Sequence, residues 1–200
     1  MTINNSGIIM TQQALSHFGD LFTEVNVAVL MILLGVAVWF DIKARRIPNW
    51  LVLTGLMSSL GIQLLFSNGS FSAWGLGLLA GFGLFLPLYL VRAMGAGDVK
   101  LMAMVGGFLG PVGAAGVVLT TLVAGGILAV GVALWSGALR HTVANVRILV
   151  TQTIFKTFRG GGVQMDALPS SAGDLPYAVA IAAGTFVHLV LVRSGHALFV

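Results

Sequence analysis

The chain lacks cysteine altogether and has only six acidic residues among 200. Without cysteine there is no disulfide, no thiolate metal site and no cysteine nucleophile. Charge is scarce too: charged residues make up 8%, where a soluble domain carries about a quarter. Hydrophobic residues make up 58% and the mean hydropathy is +1.01, which leaves too little polar surface to coat a water-soluble globule of this size. The bilayer is the expected solvent. Ten basic residues spread along such a chain report topology rather than nucleic-acid binding, despite the net charge of +4. The four histidines (His17, His141, His188 and His196) show no metal-ligand spacing, so neither metal nor cofactor is expected. A cleavable signal peptide is not evident, because residues 1–24 are polar, carry Asp20 and Glu24, and contain no Lys or Arg. The first apolar run reads as a retained span.

Crossing a hydrocarbon core of about 30 Å takes about 20 helical residues. Runs of this kind lie at about 25–40, 50–66, 71–91 and 177–192, with a longer apolar region at 101–139. Pro87 inside the third run is tolerable in a membrane helix. The 101–139 region is too long for one crossing and contains Gly110-Pro111 and Gly113.

Basic residues decide how that region is threaded. If it crosses twice, Lys43, Arg45, Arg46, Arg92, Lys100, Arg140, Arg147, Lys156 and Arg159 share one side, and Arg193 alone is opposite. Cytoplasmic loops carry the Lys/Arg excess. The expectation is an all-α polytopic bundle of about six transmembrane helices with both termini non-cytoplasmic. Its parts are a polar segment (1–24), one membrane-embedded domain (25–192) and a short tail (193–200), with cytoplasmic loops at about 41–49, 92–100 and 140–175. The stretch 101–110 is short for a full span and is open to a tilted or re-entrant reading. Gly77/Gly81 and Gly106/Gly110 form GxxxG pairs, the pattern of close helix packing. In 140–159, polar and apolar residues segregate as on a basic surface helix. Gly160-Gly161-Gly162 then interrupts it, so 140–175 could serve as a movable cover or as a plain linker.

Two of the six acidic residues stand at span ends on the expected cytoplasmic side: Asp41 after the first run and Asp98 before the long region. Acidic groups at membrane depth are costly and suggest function. Asp41 alone could instead neutralise the neighbouring arginines. Together the two acids can do more, because adjacent carboxyls share a proton. The ionised member can take a proton from water while the protonated member polarises a carbonyl, which amounts to general acid–base hydrolysis. Gly95 and Gly97 suit a sharp turn or close approach beside Asp98. Lys100 and Arg45 are placed to hold the acids or substrate, or simply to anchor the cytoplasmic edge. Pro48 and Asn49 read as a helix stop and cap. Trp39, Trp50 and Tyr177 sit where interfacial aromatic belts occur.

At these residues the chain resembles a known family. Asp41, Arg45, Ile47, Pro48 and Asn49 match the pattern D-x-x-x-R-x-I-P-N, and Gly95, Gly97, Asp98, Lys100 and Leu101 match G-x-G-D-x-K-L. Both patterns are those of prepilin peptidases of the GxGD type. The run Leu175-Pro176-Tyr177-Ala178-Val179-Ala180-Ile181 is similar to the last span of the small forms serving tight-adherence, Flp-type pili. The resemblance implies an aspartic endopeptidase of the bacterial inner membrane. Asp41 and Asp98 would be catalytic, and the substrate would be a type IV-type prepilin with a basic leader followed by an apolar helix. The soluble CxxC-bearing domain of the large forms has no counterpart in this sequence, so N-methylation is not implied. A presenilin-type intramembrane protease shares the GxGD element, and a transporter or secretion-system scaffold is the non-enzymatic alternative.

Overall fold

The computed structural model describes residues 5–66, 71–90, 93–135 and 177–196, with side chains from Leu21 onward except that of Ala133. The described residues form helices and no strands: α1 (Asn5–Ala44), α2 (Asn49–Phe66), α3 (Phe71–Leu90), α4 (Ala96–Trp135) and α5 (Tyr177–Arg193). Three segments, Leu21–Ala44, Phe71–Leu90 and Ala96–Val132, are long and apolar enough to cross a membrane, and α2 and α5 are shorter apolar helices. The expected surface helix at 140–159, the Gly160-Gly161-Gly162 run and Arg92 lie outside the described residues.

The first helix starts well before the first apolar run. Residues 5–24, the polar segment, are helical and continuous with the rest of α1. Polarity argues against burial in lipid, not against a helix, and no proline interrupts this stretch.

The decisive break falls inside α4. Gly110 has φ 74 and ψ 179, a backbone conformation that glycine adopts without the Cβ clash other residues meet. Pro111 supplies no N–H to continue the helical ladder. A Cβ at Gly106 would stand 3.4 Å from the Cβ of Ala114. On a straight helix eight residues advance about 12 Å. The chain therefore reverses at Gly110, and 111–135 folds back along 96–109. The 96–109 half is about 21 Å long at 1.5 Å per residue, shorter than a hydrocarbon core. It is also the centre of the bundle, with Leu101, Met102, Met104 and Val105 fully buried.

The neighbours fit this central half by close approach. A methyl group at Gly77 would overlap the Gly106 carbonyl and lie 2.8 Å from the Gly110 Cα, and one at Gly81 would overlap the Met102 carbonyl. The glycine pairs of α3 and α4 thus put backbone against backbone. Gly55 of α2 leaves room for the Met104 side chain, and a Cβ there would meet its Cγ at 2.8 Å. Trp74 of α3 donates from Nε1 to Ser59 Oγ of α2 at 2.9 Å. Asn26 of α1 donates from Nδ2 to the Phe108 carbonyl at 2.8 Å, a group whose helical partner the Gly110 break removes. On the far side, Gly116 underlies the His188 imidazole, and Thr120 Oγ1 donates to the Gly184 carbonyl at 2.8 Å.

These pairings fix helix directions. α1 and α5 are antiparallel, with Asp41 beside Ala178 at one end and an Arg193–Glu24 ion pair at the other. α3 is antiparallel to 96–109, and α5 to 111–135. α2 runs parallel to 96–109, since Asn49 meets Lys100 and Gly55 meets Met104. The C-terminal end of α1 and the N-terminal ends of α2, α4 and α5 therefore gather at one end of the bundle.

The glycine contacts predict a sharp contrast between two positions on one helix. Gly77→Ala should lower stability by about 2 kcal/mol or more, because backbone cannot step aside for a methyl group. Gly83→Ala, where nothing lies within 4 Å, should be neutral or slightly stabilising. Thermal melts of the purified proteins in one detergent check both, and equal melting temperatures would contradict the packing.

Candidate active site

Asp41 lies in the last turn of α1. Its carbonyl accepts from the N–H of Arg45 at 2.9 Å, and Arg45 has a positive φ of 53. This is a left-handed helix cap, a position where glycine or asparagine is the usual occupant. A carboxylate in a last turn faces the carbonyl end of its own helix, an unfavourable dipole. The compensation comes from another helix. Ala178, in the first turn of α5, donates its backbone N–H to Asp41 Oδ2 at 3.1 Å. First-turn amides have no partner within their own helix and are free for this use.

Asp98 lies in the first turn of α4 and reaches back to its own helix start. Gly95 donates its N–H to Asp98 Oδ2 at 3.1 Å, and the Asp98 N–H donates to the Gly95 carbonyl at 3.2 Å. This is one half of a capping box, the carboxyl reaching back to the N-cap amide, with a backbone turn in place of the return bond that a glycine side chain cannot make. A side chain at Gly95 would crowd the carboxyl, since a Cβ there would stand 3.4 Å from Oδ2. Both carboxyls are 8% exposed. Each commits one oxygen to a backbone amide, and among the described residues Oδ1 of each is left for other work.

The turn between α1 and α2 docks on the turn that opens α4. Ile47 packs over Gly97, where a Cβ would lie 3.3 Å from the Ile47 Cβ. Lys100 Nζ donates to Asn49 Oδ1 at 3.0 Å. The Lys100 side chain thus joins the two motifs to each other and does not pair with an aspartate. Asn49 correspondingly serves α4 through its side chain instead of capping its own helix. Pro48 contributes its carbonyl, which accepts from the Leu51 N–H at 3.1 Å at the start of α2. Phe40 and Trp50 meet edge to face, 5.9 Å between centroids, across the same turn.

Every site residue singled out in the sequence falls at this end of the bundle. Two participants were not foreseen. The Ala178 amide carries no side-chain signal, and Tyr177, expected in an interfacial belt, is half-buried beside it. Trp39 and Trp50 are exposed, and Lys43 lies over the Trp39 ring at 5.3 Å. Among the described residues no cluster of His, Asp or Glu could hold a metal. Chemically, this end offers two backbone-oriented carboxyls beside an exposed basic turn.

The model of the type IV leader peptidase family matches residues 28–130, which takes in both motifs and stops short of α5. No curated protein and no solved structure matches the chain.

The docked turns make a prediction that the cysteine-free background tests cleanly. In the double variant Asn49→Cys, Lys100→Cys, one molecule of a short bis-methanethiosulfonate should bridge both thiols. Intact mass should then show a single bridged adduct. Two separately capped thiols would mean that the motif turns are not held together.

Proposed function

Because the chain belongs to the type IV leader peptidase family, we propose that it is a membrane aspartic endopeptidase that removes the basic leader of type IV or Flp-type prepilins by water attack on an Asp41–Asp98 dyad. The observation that carries this reading is the docking of the two motif turns, Ile47 on Gly97 and Lys100 on Asn49, which brings two aspartates from different helices to one end of the bundle. Each sits in its own motif and is held by a backbone amide. One proton is shared by the pair. The ionised member takes a proton from water, and the resulting hydroxide attacks the scissile carbonyl carbon. The protonated member donates to the carbonyl oxygen as charge develops there. Collapse of the tetrahedral intermediate breaks the C–N bond, and the proton first taken from water goes to the leaving amine. No nucleophilic side chain and no metal enters these steps.

The setting suits such a substrate. α1, α3 and α4 are long and apolar enough to span, and the dyad lies at one end of the bundle. An apolar substrate helix could then enter from the lipid while its leader stays in water. Lys43, Arg45, Arg46 and Lys100 stand at the dyad end and Arg193 at the other. By the positive-inside rule the dyad end is cytoplasmic, in a bacterial inner membrane crossed about six times with both termini outside. The alternating helix directions support this threading. The shortness of 96–109 supports a central hairpin that turns before the far face. An intramembrane protease of presenilin type and a transporter are less well served, since the first motif extends over Arg45, Ile47, Pro48 and Asn49 and both acids sit at helix ends.

Asp41→Asn and Asp98→Asn should each abolish cleavage of a leader-bearing pilin in proteoliposomes while the protein folds and inserts. Groups that act as a unit are non-additive, so the double variant should be little worse than either single one. Chelators should have no effect. Cleavage at the wild-type rate by either Asn variant would end the dyad mechanism.

Threading is tested separately by thiol labelling of single cysteines in intact inverted and right-side-out vesicles. Residues 44 and 95 should react from the cytoplasmic face, and residue 195 from the opposite one. Labelling of 44 and 195 from the same face would refute an alternating bundle with external termini.

A further inference from the structure

Lipid gives apolar helices no hydrophobic reason to associate, so close packing and interhelical hydrogen bonds decide where each one sits. For α5 these contacts run along a seam with 111–135. A Cβ at Gly184 would stand 2.5 Å from the Thr121 nitrogen and 2.6 Å from its Cα, so backbone meets backbone there. Thr120 Oγ1 donates to the Gly184 carbonyl at 2.8 Å. One turn further on, Gly116 leaves room for the His188 ring, where a Cβ would meet Nδ1 at 2.6 Å. Thr120, Thr121 and His188 are buried. Neither 111–135 nor 177–192 contains Asp, Glu, Lys or Arg, so shape and hydrogen bonds alone fix α5 along its axis.

The same helix ends on the site. Ala178 lies six residues before Gly184, about 9 Å along the axis at 1.5 Å per residue. Its N–H donates to Asp41 Oδ2 at 3.1 Å, and both residues are buried. A bond of that length has little slack. Sliding α5 away from Asp41 by the rise of one residue would take it out of hydrogen-bond range.

We propose that Ala178 is a positioning residue for Asp41, acting through its backbone N–H, and that the seam with 111–135, through Gly184 and Thr120, sets it there. Its effect on turnover rests on the peptidase reading, but the contact itself does not. The family match ends at residue 130, so α5 brings to the site a group that neither motif contains.

The contact is tested first, in the full chain in liposomes and without substrate. Protein labelled with ¹⁵N-alanine and carboxyl-¹³C-aspartate should show a short-range dipolar contact between the Ala178 nitrogen and an aspartate carboxyl that Asp41→Asn removes. Its absence overturns the proposal, whatever the protein cleaves. The role is tested by replacing Ala178 with lactic acid through nonsense suppression, which puts an ester oxygen in place of the N–H and keeps the methyl group. With a leader-bearing pilin, kcat should fall about tenfold with KM little changed, as expected for loss of a hydrogen bond to a charged group. The acid limb of the pH–rate profile should move to higher pH, because the lost N–H favours the ionised carboxyl. The hydroxy-acid analogue of valine at residue 179 puts the same ester in the same turn and should leave both unchanged. Equal effects from the two esters would refute the positioning role. For the seam, Gly184→Ala should weaken the dipolar contact and lower kcat. Thr120→Val, which keeps the side chain's shape and removes its donor, should act in the same direction and decides the point if Gly184→Ala does not insert. A wild-type contact and kcat in an inserted seam variant would overturn the seam's part. A contact present in a wild-type protein that cleaves no pilin would refute the peptidase reading instead.

Discussion

The reversal at Gly110 is the constraint on which the rest of the bundle depends. Residues 98–108, Lys100 excepted, are buried on every side. A helix enclosed in this way needs neighbours close by in all directions. The fold-back supplies one of them from the same chain, glycines at 77 and 81 bring α3 to near backbone contact, and Gly55 of α2 makes room for the Met104 side chain. A reversal at membrane depth also frees carbonyls, and each unsatisfied group there costs several kcal/mol. Asn26, on a helix more than eighty residues away in sequence, donates to one of them at Phe108. Without the turn, 96–135 would be a single rod and its start would have no central position. With it, Asp98 opens the most enclosed helix of the molecule.

Helix polarity then explains why the two acids are held differently. Asp98 sits at an N-terminal end, where its own helix provides the amide and a favourable dipole. Asp41 sits at a C-terminal end, where its own helix offers only carbonyls. The amide that completes it comes from α5, whose N-terminal end is adjacent because α5 runs antiparallel to α1. The alternation of helix directions is therefore part of the chemistry. It sets two first turns and one last turn around the same point, and the basic turn between α1 and α2 closes over them through Ile47 and Asn49.

Much of this was legible in the sequence, for particular reasons. The apolar runs at 50–66, 71–91 and 177–192 agree with the observed helices to within a residue or so, since in lipid a long apolar run has to be a helix. The two aspartates stood out because acidic residues are so rare here, and the GxxxG pairs because close packing leaves few alternatives to glycine. What the sequence concealed was of two kinds. Residues 5–24 form helix despite their polarity, because hydropathy reports the solvent and not the backbone. The pairing of Lys100 with Asn49, the Ala178 amide on Asp41 and the half-buried Tyr177 are tertiary facts. A backbone amide has no letter of its own, and a tyrosine at a span end reads the same whether exposed or half-buried.

Arg45 shows where local and global demands diverge. It closes α1 with a positive φ, a conformation that costs a non-glycine residue about 1 kcal/mol or more. Glycine would make the same cap without that cost, and Asn at lower cost than a long side chain. A strained residue four positions from one of the two motif aspartates is the kind of position where structure is held for function rather than stability.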